Sequence, residues 1–195
     1  MKKYTRKTIE FYNKYSNDYI KNSAFVLENK INKFAKLINC GGKILDVGCG
    51  PGHDTDYLTR KGFNVLGIDL SKKMINYAKK NFKGKFELMD FFDLKFKTNT
   101  FDGIWCSATL IHVTKSDLNK ILKSFFKILK ENGVLGIIVR RFTKRVSKKE
   151  NTRIFTMFYK REVEEYLIKN KFKIISSKIF SYGKIKWILI IAKST

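Results

Sequence analysis

Apolar positions along this chain change period near residue 40. Between about Ser23 and Asn39, Leu27, Ile31, Phe34 and Ile38 recur at helical spacing, and Gly41-Gly42 stops the run. A polar-aromatic stretch before it, about Thr8–Ile20, predicts a further helix, so residues 1–40 read as a helical arm. The period then shortens. Lys43–Val47, Phe63–Ile68, Phe86–Met89 and Phe101–Cys106 are short apolar runs that predict strands. Between them lie a short helix carrying Tyr57 and Leu58, ended by Gly62, and another whose apolar residues are Met74, Ile75 and Ala78, with Ser71 as its cap.

The clearest helix covers about Ser116–Lys130. Leu118, Ile121, Leu122, Phe125, Phe126 and Leu129 share one face, lysines occupy the other, and Asn132-Gly133 is the expected stop. Val134–Val139 predicts a buried fifth strand, followed by a helix near Lys160–Asn170 and two more strands, Phe172–Phe180 and Ile185–Ala192. The link Ser181-Tyr182-Gly183 is too short for a helical crossover, so the last strand must return antiparallel. Strands alternating with helices predict an α/β fold, a parallel sheet with an antiparallel edge.

Composition narrows the class. A chain of 195 residues with 44% hydrophobic and 30% charged residues suits one globular domain and excludes a disordered tail. No apolar run approaches the roughly 18 residues that would cross a membrane, so none is expected as a partner. The start, Met1-Lys2-Lys3-Tyr4-Thr5-Arg6-Lys7, lacks the apolar segment of a secretory leader. Cys40, Cys49 and Cys106 form no C-x-x-C pattern, which points to the reducing cytoplasm and away from a bound metal.

The net charge of +24 has two readings. One is a polyanionic partner, RNA or a phosphorylated substrate. The other is coding bias, because 34 of the 41 basic residues are lysine and glutamine is absent. One segment departs from that bias: Arg140, Arg141, Lys144, Arg145, Lys148, Lys149 and Arg153 place four of the seven arginines in fourteen residues, with Glu150 the one acid. This loop follows the fifth strand. It is either a solvated surface or the recognition element for an anionic acceptor, with Arg140 and Arg141 nearest the sheet.

The chemistry concentrates in Asp46-Val47-Gly48-Cys49-Gly50-Pro51-Gly52, between the first strand and a helix. Glycines there let backbone N–H groups approach a ligand at the positive end of a helix. A dinucleotide site would want a third glycine where His53 stands, and Asp46 would repel a diphosphate while holding an ammonium group. Asp69, 21 residues after Gly48, ends the second strand where a carboxylate can accept both ribose hydroxyls. A cationic nucleoside without phosphate meets these demands, and S-adenosylmethionine (SAM) is one. His112 follows the fourth strand, either as a general base or substrate contact or as a packed helix-start residue. Tyr12, Tyr15 and Tyr19 share a helix face, and Asp54 reads as a favourable charge at a helix start.

The pattern resembles the class I SAM-dependent methyltransferases over nearly the whole chain. Ile44–Gly52, Gly67–Met74 and Phe101–Cys106 carry the resemblance, with Leu129–Gly133, where Asn132-Gly133 replaces the usual Pro-Gly. More narrowly, the Tyr-rich arm Phe11–Tyr19, Gly52-His53-Asp54-Thr55 and Ala108–Val113 are similar to small, free-standing methyltransferases of the type 11/25 kind. The resemblance implies a doubly wound, Rossmann-like seven-stranded sheet, parallel except for an antiparallel last strand. It also implies that the loop through Gly48, Cys49, Gly50 and Gly52 passes under the methionine portion of SAM, that Asp69 holds the ribose, and that Leu70 and Met74 flank the adenine. Asp90 would meet the adenine amino group beside the Phe91 backbone, Cys106 and Ala108 would floor the site, and Tyr12 and Tyr19 would lie on a lid. Two departures are His53, where relatives often carry arginine, and Val139-Arg140-Arg141-Phe142-Thr143, where the close group has a Lys-Glu-Gly turn.

The expected activity is methyl transfer from SAM to an O, N or S nucleophile of a small-molecule acceptor, releasing S-adenosylhomocysteine (SAH). RNA as acceptor, as in wobble-uridine tRNA methyltransferases, a SAM-binding protein without catalysis, and a nicotinamide oxidoreductase are the alternatives.

Overall fold

The computed structural model describes residues 3–22, 27–143 and 155–195. The basic positions Lys144, Arg145, Lys148, Lys149 and Arg153 lie outside the described residues. Helices α1 (Lys3–Lys14), α2 (Ser16–Asn22) and α3 (Glu28–Ala35) precede the sheet. Strands β1 (Lys43–Val47), β2 (Asn64–Asp69) and β3 (Lys85–Leu88) alternate with α4 (His53–Arg60) and α5 (Lys72–Asn81). Then come β4 (Phe101–Ser107), a 3-10 turn at Leu110–His112, α6 (Lys115–Ile128), β5 (Leu129–Arg140), α7 (Lys160–Lys169), β6 (Phe172–Tyr182) and β7 (Ile185–Ser194).

The seven strands run in the order β3-β2-β1-β4-β5-β7-β6. β1 to β5 pair in parallel, and β7 is antiparallel to both β5 and β6. The antiparallel last strand is therefore as expected, but it lies inside the sheet. The edge belongs to β6, because the two-residue link at Gly183-Lys184 folds β7 back between β5 and β6. The order reverses at β1 and β4, and the crevice that opens at such a reversal, at the carboxyl ends of the strands, is where open α/β sheets bind ligands.

Both faces of the sheet are covered. α6 buries Leu118, Ile121, Leu122 and Phe125 with β4 and β5 in the larger core. α3 buries Ile31 and Phe34 against Trp105 in a second core on the other face. Leu129 keeps the helical spacing of α6 yet is already a strand residue opposite Phe101. It packs into the same core as the helix face, so periodicity extends the helix past its end at Ile128. Asn132, at φ 59°, makes the turn inside the bulged start of β5. The arm also departs from expectation: two helices, broken at the exposed Tyr15, replace one. Among the described residues no helix is long and apolar enough to cross a membrane.

Candidate functional site

β1 delivers Asp46 to the carboxyl edge and the chain turns sharply after Val47. Gly48 has φ 69°, and a side chain there would collide with Thr109, whose hydroxyl donates to the Val47 carbonyl at 2.9 Å. Gly50 has nothing within 4 Å of where a Cβ would sit, so the loop presents bare backbone to open space. Gly52, at φ 100°, serves packing, because a Cβ there would meet Ala78 and Phe86.

Three carboxylates gather around this loop. Asp46, 2% exposed, accepts from Thr55 Oγ1 at 2.7 Å. Asp54, in the first turn of α4, accepts from the buried indole Nε1 of Trp105 at 2.7 Å. Asp69 accepts the N–H groups of Gly50 at 3.0 Å and Ser71 at 2.7 Å, which ties the glycine loop to the end of β2. Asp54 and Asp69 keep part of their surface on the open cleft, but their carboxyl groups lie deep. Burial raises the pKa of all three; Asp46 is pushed further by Asp54 and Asp69, and Asp54 rises to about 6. Burial also pushes the Cys49 and Cys106 thiols up, so neither is a ready nucleophile.

Gly48, Gly50, Asp69, Leu70, Met74, Phe91, Ala108 and Tyr19 line one cleft together with Tyr12 and His112. A second cavity joins it at Tyr19, Gly48, Gly50, Ser107 and Ala108, and takes in Asp46 and Cys49. Other expected positions stand elsewhere. Cys106 is fully buried in the core, and the cleft is faced by Ser107 and Ala108 beyond it, so Cys106 is not floor. The Asp90 carboxylate accepts the Phe92 N–H at 2.9 Å and lines neither cavity. Gly52, Arg140 and Arg141 line neither as well. Arg141 bridges to Phe158, and its N–H donates to the Lys186 carbonyl at 2.9 Å.

Sequence reasoning missed Thr5, Thr8, Ile9, Ser71 and Thr109 as cleft walls and took Asp54 for a helix-end charge. Asp54 carried a signal in its place in the glycine loop's helix, and Ser71 and Thr109 in their positions next to Leu70 and Ala108. Thr5 and Thr8, on the distant arm, are reached through tertiary packing alone.

The opposite wall is made of side chains distant in sequence. Tyr12 Oη lies 2.9 Å from His112 Nε2. Tyr12 and Tyr19 meet edge to face at 5.0 Å, and Ser71 Oγ donates to Asn13 Oδ1 at 2.7 Å, fastening α1 across the cleft. Behind His112 stands Phe155, ring centroids 5.0 Å apart, and the Arg140 guanidinium lies over Phe155 at 5.8 Å.

Buried carboxylates around bare backbone suit a ligand that brings positive charge and no phosphate, since a diphosphate would meet Asp46 and Asp54. The SAM expected from the sequence fits that demand. Among the described residues no cluster of His, Cys, Asp and Glu could hold a metal ion.

Residues 44–133 match the model of the methyltransferase-domain family. A phosphoethanolamine N-methyltransferase of Zea mays is 39% identical over 109 residues, 52% of this chain and 21% of that protein. One from Plasmodium falciparum is 28% identical over 167 residues, 83% of this chain and 58% of that protein. The chain thus spans about a fifth of the plant relatives' length. The Burkholderia thailandensis 1,6-didemethyltoxoflavin-N1-methyltransferase, solved with its namesake substrate and SAH bound, superposes with a TM-score of 0.81. The match is 18% identical and covers 98% of this chain and 88% of that one. Residues 44–133 thus match a methyltransferase-domain family, and the chain has the fold of SAM-dependent methyltransferases.

Proposed function

We propose that this protein transfers the methyl group of SAM to a nucleophilic atom of a small, anionic acceptor in the cytoplasm. The observation that carries the reading is the pairing of two features in one cleft: the carboxylate-rimmed glycine loop on one wall and the Tyr12–His112 contact on the other. When bound, SAM supplies a methyl group on a sulfonium, which needs no further activation. The chain has to position the reactants and exclude water. Asp69 holds the ribose hydroxyls, Leu70 and Met74 flank the adenine, and the ionised carboxylates offset the cofactor's positive charge. α1 and α2 act as a lid, with Tyr12 and Tyr19 over the cleft. Where the acceptor carries a proton, Tyr12 Oη takes it while passing its own to His112 Nε2, which lies 2.9 Å away and is the base.

Two observations support a small anionic acceptor. α1 crosses the cleft through Thr5, Thr8 and Tyr12 and narrows it among the described residues to a size that suits a small molecule. Arg140 sits one ring away from His112. Relatives that act on phosphoethanolamine, a phosphorylated amine, agree with such chemistry. Three free thiols, Cys40, Cys49 and Cys106, suit the cytoplasm.

Incubation with methyl-labelled SAM and a cell extract split into metabolite, RNA and protein fractions tests the reading. Label should enter the metabolite fraction and be retained on an anion exchanger. Label in RNA would overturn the acceptor class.

A further inference from the structure

The second cavity has two unlike ends. It crosses the carboxyl edge of the sheet from Asp46 on β1, past Ser107 on β4 and Ile138 on β5, to Trp187 on β7. These strands are neighbours in the sheet, so the cavity spans three strand spacings, about 14 Å. The β1 end, with Asp46, His53 and Asp54, belongs to the cofactor expected at the glycine loop. The β7 end is apolar and aromatic, walled by Leu27, Ile138, Tyr182 and Trp187, and nothing in the cofactor reading uses it. Trp187 Nε1 is buried there without a hydrogen-bond partner among the described residues. Native interiors rarely leave such a group unsatisfied, and an indole N–H can only donate, so this wall asks for an acceptor atom. Both cross-strand neighbours of Trp187 bring positive charge. One is Arg140; the other is Phe180, whose ring has Lys30 Nζ over it at 4.9 Å. An oxygen with negative charge meets both demands, and the carboxylates at the far end keep it away from β1.

Resting on the SAM reading above, we propose that the β7 end is the acceptor subsite and that it takes an aromatic carboxylate. The flat ring lies among Leu27, Ile138, Tyr182 and Trp187, and a carboxylate oxygen accepts the Trp187 N–H. Aromatic walls favour a ring over an aliphatic chain through offset or edge-to-face contact. Ser107 and Ala108 line both cavities, so a ring seated against Trp187 meets the cofactor at their junction. The small anionic acceptor is thereby narrowed to an aromatic acid, with Trp187 and Tyr182 as the residues that select it.

The chain has two tryptophans, so nitrogen-15-labelled protein gives two indole N–H signals in an NMR spectrum. Trp187→Phe keeps a ring, removes the donor and assigns both signals; Trp105, already bonded to Asp54, is the internal reference. SAH-loaded protein is titrated with benzoate, salicylate and naphthoate, and with cyclohexanecarboxylate and phosphoethanolamine as probes without an aromatic ring. An aromatic acid should bind and move the Trp187 signal more than the Trp105 signal, with both other probes at least about tenfold weaker. Trp187→Phe should weaken that acid about tenfold or more, the scale of one hydrogen bond to a charged group. Tyr182→Ala, at an exposed position, should weaken it about threefold or more, the scale of one aromatic contact. SAH affinity in each variant reports that it is folded, and should Trp187→Phe not fold, Tyr182→Ala decides. A Trp187 signal that no aromatic acid moves, equal binding of the probes without an aromatic ring, or unchanged affinity in the folded variants overturns the inference while SAH still binds. If wild type does not bind SAH, the SAM reading falls and the inference with it.

Discussion

The two walls of the cleft are built from different materials. On the β1–β2 side, Asp46, Gly48, Gly50, Asp54 and Asp69 come from a stretch of 24 residues, and they are fixed by hydrogen bonds within that stretch or to the strand beside it, Asp69 to the Gly50 N–H and Trp105 to Asp54. On the other side, Tyr12, His112, Arg140 and Phe155 come from four separate segments and meet ring to ring. The first wall can be in place before a ligand arrives. The second is complete only while α1 lies across the cleft and brings Tyr12 to His112. A methyltransferase can use that division, with a fixed seat for a cofactor that never varies and an adaptable wall for the acceptor.

The comparison fails if the second wall is only packing. His112→Asn should lower turnover by about 10²–10⁴-fold, the usual worth of a general base, while SAH affinity stays near wild type. Steady-state kinetics with the identified acceptor, beside an SAH titration, reads both. A turnover unchanged from wild type would make His112 a packed residue beneath Tyr12.

A smaller effect sharpens the other wall. The folded pKa of Asp54 lies above its ordinary value of 3.8, at about 6, so its ionised form opposes folding. Its contribution is therefore fully present below pH 4 and is lost as pH rises through about 6. Between pH 4 and pH 7.5 the ligand-free protein should lose about 2–3 kcal/mol that Asp54→Asn does not lose. Urea unfolding of both proteins at the two pH values measures it, and saturating SAH should narrow the difference. Parallel pH profiles would mean that the Trp105 hydrogen bond already compensates the buried charge.

The same contrast explains what the sequence made legible. The glycine loop, Asp46 and Asp69 are readable because local backbone demands fix them: glycine at a positive φ, and an acid at a strand end a set distance away. α3 was readable from Ile31 and Phe34, both buried as expected, but it ends at Ala35, short of the expected Asn39, and Ile38 joins the same core from the turn beyond it. Cys106 was misplaced because motif position says nothing of strand alternation, which turns its side chain into the core. Leu129 was misplaced because a strand residue can share a helix's core. Phe155 and Thr8 reach the site by tertiary packing alone, which no spacing encodes. The break at Tyr15 follows the same rule, since the two halves of the arm meet through Tyr12 and Tyr19, a contact that helical spacing does not encode.

The central claim, that the β1–β2 wall seats SAM, is tested most directly by calorimetric titration of SAM, SAH and NAD into wild type and Asp69→Ala. The account predicts binding of SAM and SAH, none of NAD, and a loss of about 1.5–3 kcal/mol for both ligands in the variant, the scale of charged hydrogen bonds removed. Binding of NAD without SAM, or an unchanged SAM affinity in a folded Asp69→Ala protein, would contradict it.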